Sequence, residues 1–229
     1  RIVISSNESA FGPSWRAMEA YSVSNEEMHR YPEIDARSLR QALADKHGLE
    51  VERIICGCGS DQLIDLIALA YAGPGDETVF SEHGFTMYSI ASLSVGATPV
   101  AASETALTAD VEALLGCVNE RTRIVFLANP NNPTGTYLGE PELRRLHAGL
   151  PEDVLLVLDA AYAEYVVATD YDPGIALVRE ASNVVMTRTF SKIYALASLR
   201  IGWAYGPPEI IETLDRVRPP FNVSTPAIA

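Results

Sequence analysis

The sequence has only two lysines among its 17 lysine and arginine residues, so an amine nucleophile has two candidates. Lys192 follows the apolar run 184–187 by a few residues, where a buried strand would deliver its end to a crevice. Lys46 lies in a polar segment at the end of a predicted helix, where the helix dipole and water favour a charged amine. An amine held in an apolar crevice can form a Schiff base with a carbonyl compound. We therefore predict that Lys192 is the reactive lysine.

Asp159 ends another apolar run, residues 154–158. A carboxylate that leaves a buried strand loses hydration and needs a partner that compensates for this loss. The carboxyl ends of strands in an α/β sheet are also where ligands bind. The sequence therefore predicts a cation opposite Asp159, and the alternatives are a helix cap or an ordinary salt bridge.

Residues 57–61, Gly-Cys-Gly-Ser-Asp, lie between a predicted strand and a predicted helix. Backbone N–H groups and the helix dipole at such a junction favour an anion. A dinucleotide fingerprint would place a third glycine at position 62, which is Gln62, so a dinucleotide site is disfavoured. The alternative is a plain glycine turn in which Ser60 or Asp61 caps the helix.

The loop 129–135, Asn-Pro-Asn-Asn-Pro-Thr-Gly, follows the apolar run 124–127. Its two prolines predict an extended loop, because a residue that precedes proline favours extended backbone. Its amides could then hold a ligand oxygen, and the alternative is an ordinary turn.

From about residue 50 onward, short apolar runs alternate with helical patterns, which predicts an α/β fold with a mostly parallel, doubly wound sheet covered by helices on both faces. The predicted strands are 53–56, 78–81, 98–101, 123–128, 154–159, 183–189 and 200–205. The predicted helices are 34–47, 60–72, 86–95, 110–118, 140–150 and 208–218. Residues 1–32 lack this alternation and are predicted to form an arm over the main domain, 33–229.

Composition limits the function further. The chain has 229 residues, 48% of them hydrophobic, and a net charge of −13, which disfavours nucleic acid as a partner. It contains no apolar run long enough to span a membrane, and we expect it to be soluble and intracellular. Three cysteines without a C-x-x-C pair fit neither a disulfide framework nor a zinc site. The four histidines are scattered, so no metal site is expected.

Several of these segments together resemble the fold-type I pyridoxal-phosphate aminotransferases. The resemblance is carried by Asn131-Asn132-Pro133-Thr134-Gly135, by Asp159 with Tyr162, and by Ser191-Lys192 with Arg200. Within that family, segments 7–14, 30–33, 59–61 and 189–202 are most similar to the histidinol-phosphate type. Three segments depart from the family pattern: the arm reads Asn7-Glu8-Ser9-Ala10 instead of Asn-Glu-Asn-Pro, Ala160 replaces a common acidic residue, and Ala197-Ser198 replaces the more usual small Ala/Gly pair.

The resemblance implies pyridoxal 5′-phosphate as the cofactor and a role for each matching residue. Lys192 would hold the cofactor and move the proton, Asp159 would pair with the protonated pyridine nitrogen, and Tyr162 would be the third catalytic residue. Asn132 and Tyr162 would bind the ring's phenolic oxygen, and Phe85 would stack on the ring. The phosphate would be held by the backbone of Ser60 and Asp61, by Thr189, Ser191 and Arg200, and by Tyr31 of a neighbouring subunit.

The reaction implied is transfer of an amino group from histidinol phosphate to 2-oxoglutarate, a step of histidine biosynthesis, in a cytoplasmic homodimer. Alternatives with the same fold are an aromatic amino acid aminotransferase and a pyridoxal-phosphate-dependent phospho-amino-acid decarboxylase. Alternatives of other classes are a nucleotide-dependent oxidoreductase and a non-catalytic binding protein. Family members also continue beyond the equivalent of residues 219–226 into a small domain that supplies the arginine for the substrate carboxylate. We therefore expect that arginine beyond residue 229, in a longer functional protein.

Overall fold

The computed structural model describes residues 6–229, so the predicted arm is described from Ser6 onward. Seven strands form one sheet, and two more form a short hairpin. The sheet strands are β1 (Ile54–Gly57), β2 (Glu77–Ser81), β3 (Thr98–Ala102), β6 (Thr122–Ala128), β7 (Leu155–Asp159), β8 (Val184–Thr189) and β9 (Gly202–Tyr205), and the hairpin strands are β4 (Glu104–Thr105) and β5 (Thr108–Ala109).

The strand order in the sheet is β1-β9-β8-β7-β6-β2-β3. Strands β8, β7, β6, β2 and β3 are parallel neighbours, whereas β9 is antiparallel to both β8 and β1. The predicted mostly parallel sheet is confirmed. Strand β9 runs opposite to its neighbours β1 and β8 and therefore starts at the edge of the sheet where they end. Its first residue, Gly202, pairs with Gly57 and with Thr189, the last residues of β1 and β8.

Helices cover both faces of the sheet. The described helices are α1 (Trp15–Ser24), α2 (Arg37–His47), α3 (Gly59–Tyr71), α4 (Met87–Ser94), α5 (Val111–Cys117), α6 (Glu140–Gly149), α7 (Ile175–Glu180), α8 (Pro208–Val217) and α9 (Thr225–Ile228). Helices α3, α4 and α8 bury their apolar side chains in one core layer, and α2, α5, α6 and α7 bury theirs in the other. Strands such as β7 are apolar without alternation because both of their faces are buried, whereas the edge strand β3 is partly exposed.

The predicted strands and helices from residue 53 to residue 218 are confirmed with end shifts of at most two residues. The first predicted helix, 34–47, begins three residues later, at Arg37. Within the predicted arm the structure has helix α1, which was not predicted from the sequence. Ser14 caps it by accepting a hydrogen bond from the backbone N–H of Ala17 at 3.2 Å. The large apolar side chains of α1, such as Trp15 and Met18, are exposed, so the helix packs little against the rest of the described chain.

Within residues 6–229 no helix is both long enough and apolar enough to cross a membrane.

Candidate active site

The predicted site residues meet in one cavity of about 200 Å³ at the edge of the sheet where the parallel strands end. The segments that follow five strands of the same direction, β1, β2, β6, β7 and β8, converge there with the residues that precede antiparallel β9. Ten predicted residues line the cavity: Ser60, Asp61, Phe85, Asn132, Asp159, Tyr162, Thr189, Ser191, Lys192 and Arg200. The eleventh, Tyr31, does not line it and is 82% exposed. This convergence follows from the topology, because parallel strands bring their carboxyl ends to a common edge.

Asp159 is the most deeply buried charged group of the cavity, with 4% of its surface exposed. Its Oδ2 accepts a hydrogen bond from the Tyr88 hydroxyl at 2.9 Å, and its Oδ1 accepts one from the Thr187 hydroxyl at 3.2 Å. Burial raises the pKa of Asp159 to about 6, although these hydrogen bonds oppose the shift. Among the described residues Asp159 forms no salt bridge, and it does not cap a helix. It is therefore a buried carboxylate that a cationic ligand would stabilise.

Lys192 lies in the loop after β8 and is partly buried. Its Nζ is 5.5 Å from the centre of the Tyr162 ring, within the range of a cation–π contact. Within the described part of the chain, Lys192 has no salt-bridge partner. The amine and the carboxylate of Asp159 thus border the same small cavity, and the other lysine, Lys46, is exposed on α2.

A cluster of hydrogen-bond donors forms another part of the cavity wall. The Arg200 guanidinium donates to the Ser191 hydroxyl at 3.2 Å and to Asp61 Oδ2 at 2.7 Å. The Thr189 hydroxyl contacts the Ser191 hydroxyl at 3.0 Å. The first turn of α3 adds backbone N–H groups that have no acceptor within the helix. This cluster can hold an anion such as a phosphate, and the Asp61 carboxylate orients the guanidinium.

Two glycines allow this cluster to form. A Cβ on Gly59, whose φ is +78°, would lie 2.4 Å from Arg200 Nη2. A Cβ on Gly202 would lie 2.4 Å from the backbone nitrogen of Ser60. The start of α3 and the Arg200 side chain can therefore approach each other only because both positions lack a side chain.

The same turn corrects the alternative that Ser60 or Asp61 caps helix α3. The residue at the cap position is Cys58, whose backbone N–H donates to Gln62 Oε1 at 2.7 Å. Ser60 and Asp61 instead lie in the first turn, where their own N–H groups point out of the helix start. Gln62, which breaks the dinucleotide fingerprint, thus holds the turn in place.

The loop 129–135 is a compact turn, so the predicted extended conformation is wrong. Both proline peptide bonds, after Asn129 and after Asn132, are cis. The backbone N–H of Asn131 donates to the carbonyl of Thr136 at 2.8 Å, and the N–H of Gly135 donates to the carbonyl of Asn131 at 3.0 Å. These two hydrogen bonds close the loop into a turn, which is the alternative that the sequence left open. The turn nevertheless places Asn132 in the cavity wall.

The N-terminal segment reaches the same cavity. The side-chain amide of Asn7 donates to the Tyr162 hydroxyl at 3.0 Å and lies 3.5 Å from Asn132 Oδ1. Ser6 and Glu8 also line the cavity. In the sequence this segment carried part of a family resemblance, but none of its residues was predicted to belong to the site. No local pattern could reveal the contact, since Asn7 and Tyr162 are 155 residues apart.

Tyr88 is the other residue that sequence reasoning missed. Its phenol ring stacks on Phe126, as expected of a packing residue, but its hydroxyl is bonded to Asp159. The signal in the sequence is a tyrosine within a predicted apolar helix. Phenylalanine would pack there equally well, so the tyrosine hydroxyl indicates a buried hydrogen-bond partner.

Within residues 6–229 no group of three or more His, Cys, Asp or Glu side chains is arranged to hold a metal ion.

Comparison with known proteins shows the family of the chain. The family described as "Aminotransferase class I and II" matches residues 2–229, nearly the whole chain. The chain belongs to this aminotransferase family. A histidinol-phosphate aminotransferase of Rhodospirillum centenum is 58% identical over 226 residues, which cover 99% of this chain and 62% of that protein. The enzyme of the same name from Dinoroseobacter shibae is 57% identical over 228 residues, which cover 100% of this chain and 63% of that protein.

Solved structures of an aminotransferase and of a decarboxylase share the fold. A histidinol-phosphate aminotransferase from Sinorhizobium meliloti, in complex with pyridoxal-5′-phosphate, superposes with a TM-score of 0.93 at 32% identity, covering 97% of this chain and 61% of that one. An L-threonine-O-3-phosphate decarboxylase from Porphyromonas gingivalis gives a TM-score of 0.85 at 25% identity, covering 99% of this chain and 67% of that one. The chain thus spans about 62% of the length of the curated aminotransferases that it matches.

Proposed function

We propose that this aminotransferase binds pyridoxal 5′-phosphate and transfers the amino group of histidinol phosphate to 2-oxoglutarate. The single observation that carries the proposal is the cavity in which a lysine amine, a buried carboxylate without a cationic partner among the described residues and an anion-binding cluster lie together. Relatives at 57–58% identity that are named histidinol-phosphate aminotransferases support the choice of amino donor.

The described residues fit the proposed cofactor at each of its polar ends. A protonated pyridine nitrogen is the kind of cation that buried Asp159 lacks among the described residues. A phosphate matches the donors of Ser191, Thr189 and Arg200 and the free N–H groups at the start of α3. Phe85 also lines the cavity and offers an aromatic face for the cofactor ring.

Pyridoxal phosphate supplies, when bound, an electron-withdrawing ring that stabilises negative charge at the substrate Cα. In this proposal Lys192 would hold the cofactor through its amine. Once an amino substrate has freed that amine, it would move the proton from the substrate Cα to the cofactor carbon C4′, which receives the amino group. Asp159 binds the ring nitrogen and keeps it protonated. The side chains of Asn132 and Tyr162 bind the ring's phenolic oxygen, and Asn7 holds the Tyr162 hydroxyl from the arm.

The proposal is tested with the purified protein, pyridoxal phosphate and a panel of amino donors. Histidinol phosphate should bleach the visible absorption of the bound cofactor and, with 2-oxoglutarate, yield glutamate. Phenylalanine tests the aromatic aminotransferase alternative, and threonine phosphate, followed by carbon dioxide release, tests the decarboxylase alternative. Turnover of either compound in preference to histidinol phosphate would contradict the proposed donor. A protein that gains no visible absorption with pyridoxal phosphate would contradict the cofactor as well.

We also propose that the protein is a homodimer whose sites include Tyr31 of the neighbouring subunit. Tyr31 is 82% exposed and stacks on Phe221 with ring centres 4.7 Å apart. Exposed Met28 lines the same pocket as Tyr31, and Trp15 and Val23 on α1 are exposed as well. An apolar surface of this kind is typical of a face that another protein chain covers. Its position beside the cavity that holds Arg200 favours a second copy of this chain.

Mixing of two impaired variants tests this shared site. Tyr31→Phe and Lys192→Ala subunits should each have little activity, because each lacks one part of every site. In a random mixture half of the dimers are hybrids, and each hybrid has one complete site, so activity should return to about a quarter of the wild-type value. Tyr21→Phe on α1 is the matched control and should keep its activity. A fully active monomer in light scattering would contradict the dimer.

The proposal extends to domain organisation and location. Residues 1–32 would form an arm that closes on the cavity, as the contact of Asn7 with Tyr162 supports, and residues 33–229 the cofactor-binding domain. The three cysteines are all free, which suits the reducing cytoplasm. The proposed partners are small-molecule substrates and a second copy of the chain.

A further inference from the structure

Tyr88 connects a helix of the core to the carboxylate of the candidate site. It lies on α4 and is fully buried, and its hydroxyl donates to Asp159 Oδ2 at 2.9 Å. Its ring is parallel to that of Phe126, with centres 5.0 Å apart, and meets Phe85 edge-on at 5.9 Å. The two ring contacts leave the phenol little freedom, so its hydroxyl is directed at one carboxylate oxygen.

The surroundings of Asp159 contain opposing influences on its charge. Burial and the nearby Asp61 carboxylate favour the neutral acid, whereas Tyr88, Thr187 and the backbone of Ala161 donate hydrogen bonds that favour the anion. The cations that border the same cavity are Lys192 and Arg200, and Arg200 is paired with Asp61. Among these donors, the Tyr88 phenol is fully buried, and burial raises its own pKa well above the usual value. The phenol therefore stays protonated and keeps donating its hydrogen bond to Asp159.

We propose that Tyr88 is a positioning residue that keeps Asp159 ionised and fixes the orientation of its carboxyl group, so that Asp159 can bind a cationic ring nitrogen. The role toward the ring nitrogen rests on the proposed function, whereas the role in ionisation does not. The physical reason is that burial leaves only a small difference between the pKa of Asp159 and neutral pH. Since the pKa of Asp159 is already raised to about 6, loss of one strong donor would bring the neutral acid into the range of neutral pH.

The ionisation is measured in the cofactor-free protein by carbon-13 NMR of the aspartate carboxyl groups, with Asp159→Asn identifying the signal. In Tyr88→Phe, which keeps the ring and its stacking, the titration midpoint of Asp159 should rise by roughly one pH unit or more. Tyr205→Phe is the matched control: Tyr205 is also fully buried and donates to a carboxylate, that of Glu50, away from the cavity. The control should leave the midpoint unchanged. An unchanged midpoint in Tyr88→Phe would overturn the proposal.

Cofactor binding provides the second measurement. Tyr88→Phe should bind pyridoxal phosphate about tenfold more weakly than the wild type at pH 7, and the difference should shrink as the pH rises and Asp159 ionises again. A general loss of packing would weaken binding at every pH alike, and that result would overturn the role toward the ring nitrogen. If the wild type binds no pyridoxal phosphate, the proposed function fails, while the titration still decides the role of Tyr88 in ionisation.

Discussion

Replacement of Lys192 by alanine should reduce transamination by at least about four orders of magnitude, because no other amine among the described residues borders the cavity. The alanine variant cannot bind the cofactor's carbonyl carbon and has no group to move the proton at the substrate Cα. The folded structure should survive, since Lys192 is partly exposed and forms no salt bridge among the described residues. Steady-state rates with histidinol phosphate and 2-oxoglutarate measure the loss.

Lys46→Ala is the matched control and should keep nearly full activity, because Lys46 is exposed at the end of α2. Borohydride treatment of the wild type with bound pyridoxal phosphate, followed by peptide mapping, should place the added mass on Lys192. Mass found on Lys46, or an active Lys192→Ala variant, would refute the assignment.

Asp159→Asn should lower the turnover rate by roughly two to four orders of magnitude, while the protein still folds. Asparagine has nearly the same shape and can still accept the hydrogen bond of Tyr88. It carries no charge, however, and cannot keep a ring nitrogen protonated. Rates and the cofactor dissociation constant of this variant measure the effect, and near wild-type turnover would remove Asp159 from the proposed mechanism.

The same substitution should stabilise the cofactor-free protein at neutral pH. The pKa of Asp159 is about 6 in the folded protein, against a reference value of 3.8. The folded state therefore holds this proton more tightly, and the stability that this group contributes is fully present below about pH 4 and is lost as the pH rises through 6. This difference between the two pKa values corresponds to about 3 kcal/mol of unfolding free energy.

Urea unfolding of the cofactor-free protein between pH 4 and pH 7 measures this contribution. Relative to Asp159→Asn, the wild type should lose about 3 kcal/mol of unfolding free energy over this range. A constant difference between the two proteins across the range would show that Asp159 is not perturbed by burial. The expected result would mean that the cofactor-free protein is less stable at neutral pH because it keeps a buried charge that serves ligand binding.

Much of the fold was predictable because its signals are local. Uninterrupted apolar runs such as 154–158 predict doubly covered strands, and the helical patterns between them predict a doubly wound sheet. The presence of only two lysines and the polar residues at strand ends indicated Lys192 and Asp159 as candidates. Helix α1 was not predicted, since residues 1–32 lack the alternation of apolar runs and helical patterns that marks the main domain. At 129–135 the sequence left an extended loop and a turn open, and the hydrogen bonds that join Asn131 to Gly135 and Thr136 form the turn.

The sequence by itself determined which residue types stand at the end of each strand, since these depend on neighbours within a few positions. Only the tertiary structure decided which of them meet. Reversal of β9 returns Arg200 to the edge where β8 ends, 139 residues along the chain from its partner Asp61. Packing of α4 against the sheet brings the Tyr88 hydroxyl to Asp159, 71 residues away. Such contacts depend on strand order and on the faces that helices bury, which are properties of the whole folded chain and of no local pattern.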